Sequence, residues 1–93
     1  MQIKELIALA SIRSGRTRGR LSEEMGHKAR SRLSKIATGV LQPDASEIVY
    51  LAQAARLPEI ETLAEIETER HPELAEVWES VVKQAGRVTS QIK

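Results

Sequence analysis

TRGRLSEEMGHKARSRLSKIATG, residues 17–39, is the stretch whose reading decides the fold. Leu21 and Met25 stand four apart and share one face of a short helix. Leu33 and Ile36 stand three apart and do the same on a second helix, which Gly39 stops. Gly26 lies between them, where the chain must turn. Around these apolar positions sit Arg16, Arg18, Arg20, Lys28, Arg30, Arg32 and Lys35. The pair is therefore apolar at its back and cationic at its front.

Upstream, Ile3, Leu6, Ile7 and Ala10 follow an i, i+3, i+4, i+7 stripe and predict a helix over residues 2–14, closed by Ser14-Gly15. Thr17 suits the N-cap of the next helix, with its hydroxyl accepting from the Arg20 amide. Gly19, inside that helix, costs about 1 kcal/mol relative to Ala; close approach of a sugar-phosphate backbone would explain it, and so would simple tolerance in an exposed turn. Downstream, Asp44 and Glu47 have the spacing of a capping box. Ile48, Leu51, Ala52 and Ala55 supply the stripe of the helix they start. Leu57-Pro58 breaks that helix, and Pro58 suits the first turn of the next, where Ile60, Leu63, Ala64 and Ile66 are expected to face inward. His71-Pro72 marks another break. A last helix carries Leu74, Val77, Trp78, Val81, Val82 and Ala85 and is expected to end at Gly86, leaving a tail over 87–93. The chain reads as all-α, a bundle of five or six helices: residues 1–70 as the main domain, 71–86 as a C-terminal helical extension, and 87–93 as the tail.

Ninety-three residues bury one modest core. Without cysteine there is no disulfide framework and no Cys-based zinc or redox site. No apolar run approaches the ~20 residues of a membrane helix, so a soluble, cytoplasmic protein with no membrane association is expected. The net charge of +1 conceals a segregation. Residues 1–42 hold nine Lys or Arg against Glu5, Glu23 and Glu24, whereas residues 43–93 hold five basic residues against ten acidic ones. The first half attracts polyanions, and the second limits their binding in the wrong orientation.

The same stretch resembles the lambda repressor/Cro-like helix-turn-helix family. That family shows a Thr-Gln start, a Leu-Ala pair, a turn Gly, an apolar-Ser pair and a closing Gly. The counterparts here are Thr17-Arg18, Leu21-Ser22, Gly26, Leu33-Ser34 and Gly39. The similarity runs through Pro43 and Leu51-Ala52, covering residues 3 to 66, and the C-terminal WES resembles short phage-encoded regulators. Leu33 lies seven residues after Gly26 where six is commoner, which implies a turn one residue longer. Ser22 stands where Ala is usual.

The resemblance implies a lambda repressor-like fold whose second motif helix enters the major groove of double-stranded DNA, with residues at its N-terminus reaching base edges. Register with the family places Arg30, Ser31 and Lys35 near the bases, with Arg32 as the alternative if the longer turn rotates the helix. A bidentate Arg–guanine contact discriminates by about 1–3 kcal/mol. Arg18 at the helix start favours a phosphate, and Arg16, Thr17, Arg20, Lys28 and Thr38 are the other phosphate candidates. A transcriptional regulator, a repressor binding an inverted-repeat operator as a homodimer, is the function implied. Tyr50, Trp78 and Val81 are candidates for the dimer interface, with core packing the alternative for Trp78 and Tyr50.

His27 and His71 are isolated among polar residues and read as solvated turn and linker residues. No His, Asp and Glu cluster has metal-ligand spacing, no glycine loop suggests nucleotide phosphates, and the glutamates of 59–79 are spread along helix faces. No enzyme, metal or cofactor is expected. Two rivals stay open. One is an antitoxin that autorepresses through the same motif while its acidic half masks a toxin. The other is a protein-interaction module whose basic helix docks an acidic partner and never meets DNA.

Overall fold

The computed structural model describes the backbone of residues 1–92 and the side chains of residues 1–85. Among the described residues there are six α-helices and no strand. They are α1 (Ile3–Ser14), α2 (Arg18–Glu24), α3 (Arg32–Ala37), α4 (Ala45–Ala54), α5 (Glu59–Arg70) and α6 (Ala75–Ile92), with a 3-10 turn at Pro72–Leu74. Among the described residues, no helix is long and apolar enough to cross a membrane.

Helix boundaries follow local chemistry. Thr17 caps α2 by accepting from the Arg20 amide at 3.1 Å. Asp44 and Glu47 form a reciprocal capping box at the start of α4, with bonds of 2.8 and 3.0 Å. Gly26 and Gly39 both take positive φ, 82° and 84°, which lets the chain turn after α2 and leave α3 without Cβ strain. Arg13 reaches across from α1 and donates to the Ala55 carbonyl at 2.8 Å, placing a cation on the negative end of α4. Arg70 donates to the Pro43 carbonyl at 3.2 Å and so ties α5 to the loop before α4.

The core gathers the predicted stripes: Leu6, Ile7 and Ala10 from α1, Leu21 from α2, Leu33 and Ile36 from α3, Ile48 and Leu51 from α4, and Ile66 from α5. Helix α5 is a two-sided element. Thr62 and Ile66 are buried on the core side, and Ala64 is buried on the side that packs against α6. Ile60, expected to face inward, is instead 41% exposed, and Thr62 takes the buried place. Ile60 sits in the first turn of α5 on the side toward Val82 and Ala85 of α6, where it borders an open groove beyond the core.

The last helix departs further from expectation. It runs through Gly86 to Ile92, so Gly86 is not its end and residues 87–92 are helical rather than a tail. A glycine within a helix costs only about 1 kcal/mol and stops it only when the backbone turns left-handed there. Residue 93 and the side chains from 86 onward lie outside the described residues.

Ser22, at the crossing where the resembled family carries alanine, is fully buried, and among the described residues its hydroxyl has no hydrogen-bond partner. Burying an unpaired hydroxyl is costly. Ser22→Ala is therefore expected to stabilise the fold by about 1 kcal/mol, seen as a rise in thermal midpoint of roughly 4–8 °C for a domain of this size. An unchanged or lower midpoint would show that the hydroxyl is satisfied after all.

Candidate nucleic-acid interface

Seven residues, 25–31, link α2 to α3. Arg30 and Ser31, expected on the first turn of the basic helix, therefore precede it, with Ser31 at the N-cap position. Leu33 and Ile36 face the core and hold α3 in orientation. The opposite face carries Ser31, Ser34, Lys35 and Thr38, of which Ser31, Ser34, Lys35 and Thr38 are all exposed. Sequence reasoning misses Ser34, although it stands three residues from Ser31 and four from Thr38, the spacing of one helical face.

Three of the cations expected at DNA are held by two glutamates of α2. Arg30 Nε is 3.0 Å from a Glu23 carboxylate oxygen. Arg16 donates to Glu24 at 2.6 Å, and Arg20 Nε donates to it at 3.2 Å. Tyr50 on α4 also donates to Glu24, at 2.8 Å. That hydrogen bond, followed by the charges of Arg16 and Arg20, holds the Glu24 carboxyl below its ordinary value against the opposing effect of desolvation. Tyr50 is thus a brace between α2 and α4. A Cβ at Gly19 would stand 3.1 Å from Nε and Nη2 of Arg30, so this exposed guanidinium would have to shift by a few tenths of an ångström. The guanidinium lies over the glycine.

Arg32 is turned to a different task. Its Nε and Nη2 both donate to Glu47 of α4 at 2.8 Å, in a bidentate pair. The Glu47 side chain is only 5% exposed, and His27 Nε2 lies 2.9 Å from its Oε2. The turn histidine, read from sequence as solvated, is therefore packed inward at 11% exposure. Arg32, followed by the backbone of the capping box, holds the Glu47 carboxyl below its ordinary value despite burial. Thr38 commits its hydroxyl to the Ser34 and Lys35 carbonyls, each at 3.2 Å. Thr17 accepts at its cap and keeps its own proton to donate. Arg18, Lys28 and Lys35 are exposed, and none has an ion-pair partner among the described residues.

The candidates for pairing two copies separate as well. Trp78 is half-buried on the side of α6 that faces α5, while Val81 is 39% exposed beside Val77 at 58% and Leu74 at 43%. Tyr50, engaged by Glu24, lies away from that stripe on α4. No known protein family, curated protein or solved structure matches this chain.

Glu47 has a lowered pKa in the folded chain, so on acidification the unfolded chain takes up the proton first. The stabilisation is whole above the ordinary value of 4.5 and drains away as pH falls below it toward the folded-state value. Glu47→Gln is expected to lower stability by about 2–3 kcal/mol near neutral pH. The gap between wild type and variant should narrow in denaturant titrations run below pH 4.5. A gap that stays constant with pH would assign the loss to packing instead of charge.

Proposed function

We propose that this chain is a sequence-specific DNA-binding transcriptional regulator of the lambda repressor/Cro-like helix-turn-helix type, acting as a repressor. In this reading α2, the 25–31 link and α3 form the motif, and the outer face of α3 enters the major groove. The observation that carries the proposal is that face. Ser31, Ser34 and Lys35 point to solvent from a helix fixed behind by Leu33 and Ile36, with the Arg30 guanidinium beside them on Gly19. Short hydroxyls around one lysine allow close approach to base edges, and arginine supplies the bidentate contact to guanine. Arg18, Lys28 and Thr17 are left for phosphates, where a helix start and unpaired cations suit an anion. Arg32 drops out of the base-reading set because Glu47 takes the Nε and Nη2 edge of its guanidinium and holds the side chain back against α4.

A single motif reads only a few base pairs, so the operator is proposed as an inverted repeat bound by two copies, with half-sites about 34 Å apart or a multiple of that. The outward stripe of Leu74, Val77 and Val81 is the surface proposed for pairing them. Val77→Glu with Val81→Glu should then lower the sedimenting mass to that of one chain while leaving helix content unchanged. A wild-type chain that sediments as a monomer at all concentrations would remove the dimer from the proposal.

The DNA reading is tested by selecting a site from a random duplex pool and titrating salt. Arg30→Ala with Lys35→Ala should abolish discrimination between the selected site and unrelated duplex, with little change in salt slope. Arg18→Ala with Lys28→Ala should weaken both duplexes alike and flatten the log–log slope by about 0.9 for each phosphate that is no longer neutralised. Indifference of the wild type to duplex DNA at low salt would overturn the proposal in favour of a protein-interaction module.

A further inference from the structure

A groove of about 610 Å³ lies between α5 and α6, away from every residue of the proposed DNA surface. Its floor is apolar, made by Ala64, Trp78 and Val82. One wall is acidic: Glu61, Glu65 and Glu69 of α5 follow one another at four-residue spacing, one per helical turn, and Glu79 of α6 also lines the groove. Two cations already border the groove, the Met1 ammonium and Lys83, against four glutamates. The Met1 ammonium sits 2.8 Å from Glu69 and 3.6 Å from Glu65, closing one end of the groove. Glu61 has no ion-pair partner among the described residues, and Glu79 has only an exposed pair with Lys83 at 3.6 Å.

We propose that this groove is a docking site for a basic amphipathic α-helix of a partner protein, with aliphatic side chains on Trp78 and Val82 and lysines or arginines along the glutamate wall. Positions 61, 65 and 68 of α5 and 75, 79 and 82 of α6 line it. Seven residues of helix rise span about 10 Å, matching the i, i+4, i+7 anchors by which a helix lies in a groove. The one-per-turn spacing of the glutamates matches cations at the same spacing on the incoming helix. Charge decides the occupant. A second copy bringing the same face would set glutamate against glutamate, which costs affinity, and a nucleic acid would be repelled. The site stands independently of the DNA reading, since its residues and its test are separate from those above.

Trp78 is the sole tryptophan of the chain and lies in the floor, so its emission reports occupancy. The probe is a tryptophan-free, fourteen-residue peptide with leucine on one helical face and lysine on the other. It is expected to produce a saturable shift of Trp78 emission at low salt. Glu61→Gln with Glu65→Gln should weaken that binding by roughly fivefold or more. Glu73→Gln with Glu76→Gln, which removes the same charge outside the groove, should leave it unchanged, and duplex DNA binding should be unaltered in both variants. Equal weakening by the two pairs, equal binding of a peptide with its leucines and lysines shuffled, or no Trp78 response would overturn the proposal. A Trp78 shift with protein concentration alone would overturn it in favour of a second copy of this chain as occupant.

Discussion

The arrangement of the cationic face depends on the carboxylate of Glu47. It closes the capping box of α4, takes both prongs of Arg32 and lies against His27, so one buried acid binds the 25–31 link, α3 and α4 together. Helix α3 has six residues, far below the length at which a helix holds in water unaided, and the link before it has no regular structure. Leu33 and Ile36 fix which side of α3 is buried. The Arg32–Glu47 pair fixes where along α4 it sits and how it is rotated. Buried ion pairs of this kind contribute little net stability against an apolar replacement but are costly to break on one side. That suits an element whose exposed face must keep one orientation.

This interaction is also what the sequence concealed. Periodicity resolves which face of a helix is apolar, and it found the stripes through Leu6, Leu21, Leu33, Leu51 and Ile66. Cap chemistry is local too, and Thr17, Gly39 and the Asp44–Glu47 box were legible because each partner lies within a few residues. Arg32 and Glu47 are fifteen positions apart across a loop, and nothing in either residue type distinguishes a solvent-facing arginine from one that folds back on α4. His27 was hidden for the same reason, being drawn inward by that carboxylate. The sequence showed that the turn was long, but the length of the link moved Arg30 and Ser31 off the helix they were assigned to. At α5 the pattern failed differently: Ile60 lies in the first turn, beside an open groove at α6, while Thr62 falls on the core side with Ile66.

Within the basic half, the cations divide into two populations with different consequences. Arg16, Arg20 and Arg30 rest on Glu23 and Glu24, and Glu24 is in turn held by Tyr50. Exposed pairs of this kind are worth about 0–1 kcal/mol, so they orient the guanidiniums without committing them. A phosphate approaching with a full charge competes on better terms than water does. Arg18, Lys28 and Lys35 need no such exchange. A surface built this way has a long-range field set by all its cations, of which the paired ones must leave a glutamate to take another anion.

The acidic half answers that field with geometry as well as sign. Helix α6 is amphipathic over an apolar arc too wide for α5 alone to cover: Trp78 and Val82 turn toward α5 and the glutamate wall, while Val77 and Val81 turn outward. The two apolar strips differ in their surroundings: the inner one faces the row of Glu61, Glu65 and Glu69, and the outer one has Glu73 beside Val77. On the proposals above, the strip facing three glutamates suits a cationic helix, and the outer strip, with fewer carboxylates beside it, suits a second copy. On those proposals one helix would serve two contacts, both on residues separate from the outer face of α3.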